Sequence, residues 1–273
     1  MAQDILVRNN VKVYGQGQKT LMLAHGFGCE QNVWRFVAPA FENDYRIVLF
    51  DYVGAGNSDL SAYDIQRYSD LRGYAQDVLD VCDALQLSDL VFVGHSISSM
   101  TGLLASIERP ELFERLILIS PSPCYINDPP LYTGGFERAQ IEELLALMEK
   151  NYEQWAKNLA PTAILNPHLS ELVAEFEAGL RAADPIIARR FAQATFFSDF
   201  RNDLQQVTVP SLILQCCEDL IAPPEVGIFV HQQLLRSELQ VLEAVGHCPH
   251  LSHPEELIEV IKKYLASPLQ FSL

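Results

Sequence analysis

The chain reads as an α/β fold: a mostly parallel, twisted sheet with helices on both faces and a four-helix insertion. Three observations carry that reading. Short, continuous apolar runs rich in strand-favouring residues recur at 20–24, 46–50, 90–93, 116–119 and 210–217, and such runs suit strands buried on both faces. Helical patterns alternate with them, as expected where crossover helices cover a parallel sheet. Between 124 and 202 the strand rhythm stops, and four helical segments follow one another at 136–150, 152–159, 169–181 and 185–197.

Taken in order, residues 5–7 and 11–14 are β-favouring runs on either side of Asn9-Asn10, which predicts a hairpin at one edge of the sheet. The run 20–24 ends at His25-Gly26-Phe27-Gly28, after which Asn32 would cap a helix over 33–41. The strand 46–50 runs into Asp51-Tyr52-Val53-Gly54-Ala55-Gly56-Asn57-Ser58, a loop rich in turn formers. A helix over 69–85 follows, with Tyr74, Val78, Val81 and Leu85 on one face. After the strand 90–93 an apolar, helix-like segment, 100–107, stops before Pro110. The strand 116–119 ends in Ser120-Pro121-Ser122-Pro123. Beyond the insertion the sheet resumes at 210–217. A helix over 224–235, a short last strand over 239–242 and a final helix over 254–265 complete it. Residues 1–123 and 203–273 therefore form the core, and 124–202 a helical insertion in the same domain.

Composition narrows the class of function. A length of 273 residues suffices for one sizeable core, and 49% hydrophobic with 20% charged residues is globular. A net charge of −16 repels phosphate backbones and anionic membranes, so neither nucleic acid nor a membrane is an expected partner. The N-terminus lacks the basic and apolar regions of a signal peptide, and no apolar stretch reaches membrane-span length, which points to the cytoplasm. Cys29, Cys82, Cys124, Cys216, Cys217 and Cys248 form no C-x-x-C pair and read as reduced thiols. His247, His250 and His253 recur every third residue, but Pro249 and Pro254 break the helix a metal site would need; no metal or cofactor is expected.

The chemistry starts at Gly94-His95-Ser96-Ile97-Ser98, where the strand stops abruptly and a helix begins. Strand, tight turn and helix around a serine resemble the nucleophile elbow of the α/β-hydrolases, G-x-S-x-G, with Ser98 in place of the second glycine. Small residues there let strand and helix approach closely. Sites in such sheets lie at the carboxyl ends of the strands, where Ser96, Asp219 and His247 follow in that order. It is the α/β-hydrolase order of nucleophile, acid and base. A serine hydroxyl needs a base to take its proton as it attacks, and imidazole titrates in the right range. The imidazole needs a carboxylate to fix its tautomer. His95 points away in an elbow and His25 reads as structural, which leaves His247 as the base. Asp219, four residues before Pro223, is preferred to Glu218 as the acid. Backbone N–H groups of Phe27 and Ile97 are the candidate oxyanion donors. Phe27, Trp155 and Phe196 are the expected lining of an apolar substrate pocket.

Four further stretches carry a closer likeness: 24–29, 51–56, Pro121-Ser122-Pro123-Cys124-Tyr125-Ile126-Asn127-Asp128 and Gly246-His247-Cys248-Pro249-His250. Over nearly the whole chain the sequence resembles the RsbQ-like α/β-hydrolases. These are bacterial energy-stress regulators whose family also contains the plant karrikin and strigolactone receptors. At the elbow, Ser98 is like the plant receptors, where RsbQ carries glycine. The resemblance implies a four-helix lid over a closed apolar pocket, with Ser96, Asp219 and His247 as triad. It implies hydrolysis of a small hydrophobic ester or lactone in a signalling role, with a PAS-domain phosphatase of RsbP type as partner. The alternatives are a ligand receptor with slow or single-turnover hydrolysis that signals through a protein partner, and a general metabolic carboxylesterase. Cofactor-free haloperoxidase and carbon–carbon bond hydrolase chemistries use the same triad, whereas haloalkane dehalogenases place Asp where Ser96 stands.

Overall fold

The computed structural model describes residues 2–268. Its seven strands are β1 (Lys12–Tyr14), β2 (Lys19–Ala24), β3 (Tyr45–Leu49), β4 (Leu90–His95), β5 (Phe113–Ile119), β6 (Ser211–Glu218) and β7 (Ser237–Val245). They form one sheet in the order β1-β3-β2-β4-β5-β6-β7. Every pairing is parallel except β1 with β3, where Lys12 lies opposite Leu49 and Tyr14 opposite Ile47. β2, β4 and β5 are buried almost throughout, so their continuous apolar runs meet cover on both faces.

The two faces carry separate cores. On one, α2 (Leu71–Leu85) and α3 (Ile97–Glu108) pack Tyr74, Val78, Met100 and Leu103 against Met22, Phe92 and Leu116. On the other, Leu21, Val91, Ile117 and Leu214 meet Trp34, Phe41, Leu257 and Ile261, the last two from the C-terminal helix α10 (Pro254–Ala266). The helix α8 (Pro224–Gln233) joins β6 to β7. Four helices stand between β5 and β6: α4 (Arg138–Lys150), α5 (Tyr152–Ile164), α6 (Ser170–Ala182) and α7 (Pro185–Phe196). Side chains cap the starts of three: Gln140 accepts from the Glu137 N–H, Asn151 from the Gln154 N–H, and Asp184 from those of Ile186 and Ile187.

Two local expectations fail. The expected strand 5–7 is part of a helix, α1 (Ala2–Arg8), so no N-terminal hairpin forms and β1 pairs with β3 instead. Three apolar residues in a row do not distinguish strand from helix. Here Asp4 in the first turn and Arg8 in the last suit the helix dipole, and Arg8 is anchored to Asp77 and Asp80 of α2. The expected helix 33–41 is two 3₁₀ turns, Gln31–Trp34 and Ala38–Ala40. Pro39 has no N–H to donate and its ring crowds the carbonyl one turn back, which disfavours a continuous α-helix through it. Asn32 lies inside the first turn rather than capping it.

Cys29, Cys82, Cys124, Cys216 and Cys248 are buried free thiols, and Cys217 is an exposed one. No helix among the described residues is long and apolar enough to cross a membrane.

Candidate functional site

Ser96 sits between β4 and α3 with φ +55° and ψ −118°, a conformation L-residues rarely adopt. Two things allow it. Ser96 N–H donates to the Ile119 carbonyl across 2.8 Å, fixing the turn to β5. Gly94 has no side chain, and a Cβ there would lie 2.4 Å from the Ser98 carbonyl oxygen. The helix can therefore fold back against its own strand.

Ser98 has a task that glycine could not perform. Its hydroxyl donates to the His25 carbonyl and lies 2.9 Å from the Tyr52 hydroxyl, which meets Thr101 Oγ1 at 2.6 Å. The elbow is thus tied to the loop that carries Phe27. His25 itself is structural: its Nδ1 lies 2.9 Å from the Gly26 carbonyl, and its Nε2 accepts from the Tyr52 N–H. Burial pushes the His25 imidazole below its usual range, against a smaller opposing pull from Asp51.

Asp219 follows β6 and His247 follows β7, with Gly246 at φ +93° turning the chain. The structure brings both to Ser96. His247 Nε2 lies 2.7 Å from Ser96 Oγ, and His247 Nδ1 lies 2.7 Å from Asp219 Oδ2. The other carboxylate oxygen of Asp219 accepts from the N–H groups of Ile221 and Ala222 at 2.8 and 3.0 Å. With Oδ1 engaged by two donors, Oδ2 is left to accept the Nδ1 proton. The Nε2 lone pair then faces the serine hydroxyl. All three residues are buried, at 5%, 4% and 5% exposure for Ser96, Asp219 and His247. Glu218, the alternative acid, is exposed at the end of β6. Of the three evenly spaced histidines, His250 lies tilted against Trp34 at 4.9 Å and packs on His95 at 4.4 Å, while His253 Nδ1 meets Ser252 Oγ.

Ile97 opens α3, where an N–H has no intrahelical acceptor. Phe27 lies across from it in a turn closed by the Cys29 N–H on the Gly26 carbonyl. A cavity of about 30 Å³ is lined by Ser96 and His247 together with Phe27, Tyr125, Leu159, Phe176, Thr195, Phe196 and Ile221. Phe27 and Phe196 both belong to this lining. Trp155 is not part of that lining: it stands one layer back, its ring edge-on to Phe27 at 6.0 Å and against Tyr152 at 5.0 Å. A second cavity of about 420 Å³ shares Phe27 and Phe176 but contains neither Ser96 nor His247.

Two contributors carry no sequence signal beyond their residue type. Tyr125, in the loop after β5, is buried and lines the cavity beside Ser96; burial raises its phenol pKa, and the nearby Ser96 hydroxyl opposes the rise. His95, expected to point away, is among the residues lining the cavity, and its Nε2 reaches the His247 carbonyl. Burial, with the His250 and His247 rings alongside, holds it well below the ordinary imidazole range.

Comparison with known proteins agrees with this architecture. A family model described as the alpha/beta hydrolase family matches residues 21–260. A karrikin insensitive 2 receptor of Petunia hybrida is 42% identical over 257 residues, 94% of this chain and 93% of the receptor. A strigolactone esterase of Pisum sativum is 40% identical over 100% of this chain and 99% of its own. The solved structure of a hydrolase from Oleispira antarctica superposes with a TM-score of 0.96 at 42% identity, covering 98% of each chain. Fold, strand order and relatives of this similarity over nearly the full length lead to one conclusion: the chain belongs to the alpha/beta hydrolase family.

Proposed function

We propose that the chain is a serine hydrolase of small, apolar esters or lactones. The observation that carries this is the unbroken hydrogen-bond line from Asp219 through His247 to Ser96, at the mouths of three different strands. Ser96 Oγ attacks the substrate carbonyl while His247 Nε2 takes its proton. Asp219 holds the imidazole in the accepting tautomer and stabilises the imidazolium. The Phe27 and Ile97 N–H groups receive the developing oxyanion. His247 returns the proton to the leaving oxygen, and water, deprotonated by the same imidazole, releases the acyl group from Ser96. The cavity wall is apolar apart from a few hydroxyls, which suits a small hydrophobic ligand.

The same site supports a second role, as an RsbQ-like signalling protein in the cytoplasm. In that role pocket occupancy is reported to a partner, a PAS-domain phosphatase of RsbP type by resemblance. Relatives named as receptors favour it. Pre-steady-state hydrolysis of p-nitrophenyl acetate, run beside Ser96→Ala, tests both readings. A burst of one equivalent with slow release supports the receptor reading, and sustained turnover supports the metabolic one. Equal hydrolysis by wild type and Ser96→Ala rejects the serine mechanism.

A further inference from the structure

Thr195 is 1% exposed, and its Oγ1 has no hydrogen-bond partner. It lies in the last turn of α7 and lines the same cavity as Ser96 and His247. A helical threonine has an acceptor in the carbonyl one turn back, and Thr195 does not use it. Most of the surrounding wall is hydrocarbon from Phe27, Leu159 and Phe196. A buried hydroxyl without a partner destabilises the fold, whereas valine has the same shape without that cost. A second buried hydroxyl-bearing residue, Tyr125, lines the same cavity.

We propose that Thr195 is a specificity-determining residue whose hydroxyl donates to a second oxygen of the substrate, one that is not the scissile carbonyl. The chamber then selects small esters with an ether oxygen in the acyl group over their all-carbon isosteres. This rests on the reading of the Ser96 chamber as an ester site. The bond to Thr195 forms only when that oxygen is present, so Thr195 discriminates while adding nothing for a hydrocarbon chain.

The experiment compares p-nitrophenyl methoxyacetate with p-nitrophenyl butyrate, which differ by one oxygen in place of one methylene. Each rate is divided by the hydroxide-catalysed rate of the same ester. Thr195→Val should lower the methoxyacetate-to-butyrate ratio of kcat/KM about tenfold while raising Tm, and Thr195→Ser should keep the wild-type ratio. An unchanged ratio in Thr195→Val overturns the proposal even if Tm rises. Binding separates this from failure of the hydrolase reading. In Ser96→Ala, NMR titration with methyl methoxyacetate and methyl butyrate repeats the oxygen-for-methylene contrast without turnover. Tighter methoxyacetate binding that is lost on adding Thr195→Val supports the role of the hydroxyl even if wild type cleaves neither ester. Equal binding of the two ligands, with and without Thr195→Val, overturns it.

Discussion

His95 Nε2 donates to the main-chain carbonyl of His247 across 2.6 Å. A carbonyl oxygen only accepts, so Nε2 carries the proton and Nδ1 is bare, facing Gly26, where a Cβ would lie 2.6 Å away. The residue beside the candidate nucleophile therefore holds the backbone of the candidate base. His95→Leu is expected to lower kcat about tenfold to a hundredfold with little change in KM, because misplacing a reacting group by about 1 Å has that scale of effect. His95→Gln, whose amide can reach the same carbonyl, should recover most of kcat. Equal loss in both variants would show that ring packing, not the hydrogen bond, matters.

Ser98→Ala strips the donor from the His25 carbonyl and a partner from the Tyr52 hydroxyl, both buried. The expected loss is about 1–3 kcal/mol of stability, read from the urea midpoint. Ser98→Gly, the usual elbow residue, should lose as much. A midpoint unchanged in both variants would mean that the tie between elbow and oxyanion loop is dispensable.

Asp219→Asn should lower kcat by about 10⁴, by analogy with other triads. The geometry dictates the direction. The Ile221 and Ala222 N–H groups keep the amide oxygen, which leaves the NH₂ against His247 Nδ1. The imidazole must then carry its proton on Nε2 and cannot accept one from Ser96. Single-turnover kinetics of Asp219→Asn above pH 7 measure the loss; wild-type acylation there would refute the assignment of Asp219.

The Phe27 ring is edge-on to Trp155, Phe191 and Phe196 at 6.0, 5.4 and 6.0 Å, and it belongs to the walls of both cavities. Phe27→Ala should join the small chamber to the large one. The chain-length optimum in a p-nitrophenyl ester series is then expected to move from acetate toward octanoate. An optimum that stays at acetate would mean the two cavities do not communicate through this ring.

Acid should unfold the protein through its buried imidazoles. Burial, assisted by the neighbouring His247 and Arg35, holds His250 at about 3, and burial also lowers His25 and His95. In the unfolded chain each titrates near 6.5. Below that value the unfolded state binds more protons than the folded one, so stability falls as pH falls from 6.5 toward 3. Each such group adds a slope of up to about 1.4 kcal/mol per pH unit. His250→Phe, which keeps a ring against Trp34 and His95, should flatten Tm against pH by one proton's worth. An unaltered profile would place the acid sensitivity elsewhere.

Much of the sheet was legible because β2 to β6 are buried on both faces and their apolar runs have no competing period. β7 was harder: Ser237–Val245 has a half-exposed face, and only 239–242 stood out. The failures share a cause. Ile5-Leu6-Val7 and 33–41 are short or interrupted segments whose state is set by tertiary anchors, Arg8 on α2 in one case, and by Pro39 in the other. At the site, Ser96, Asp219 and His247 were visible because each ends a strand at a turn. Trp155 was misplaced because an aromatic on an amphipathic helix declares its apolar face but not its depth behind Phe27. Tyr125 and Thr195 were invisible as site residues, since nothing local distinguishes a hydroxyl facing solvent from one sealed beside Ser96.

The main chain of His247 is gripped from two sides. Its carbonyl belongs to His95 on the sheet, while its N–H donates across 2.7 Å to the Ala163 carbonyl at the end of α5. Gly246 makes the second grip possible, for a Cβ there would sit 2.1 Å from the Ile164 carbonyl oxygen. The imidazole is accordingly a rivet between two layers, and the roof cannot lift at this corner while the rivet stays in place. Enlarging the chamber from the α5 side and disconnecting the proton acceptor become one movement. We expect bulky esters to occupy the site uncleaved and inhibit butyrate hydrolysis: the size limit would act by disarming the site rather than by refusing entry.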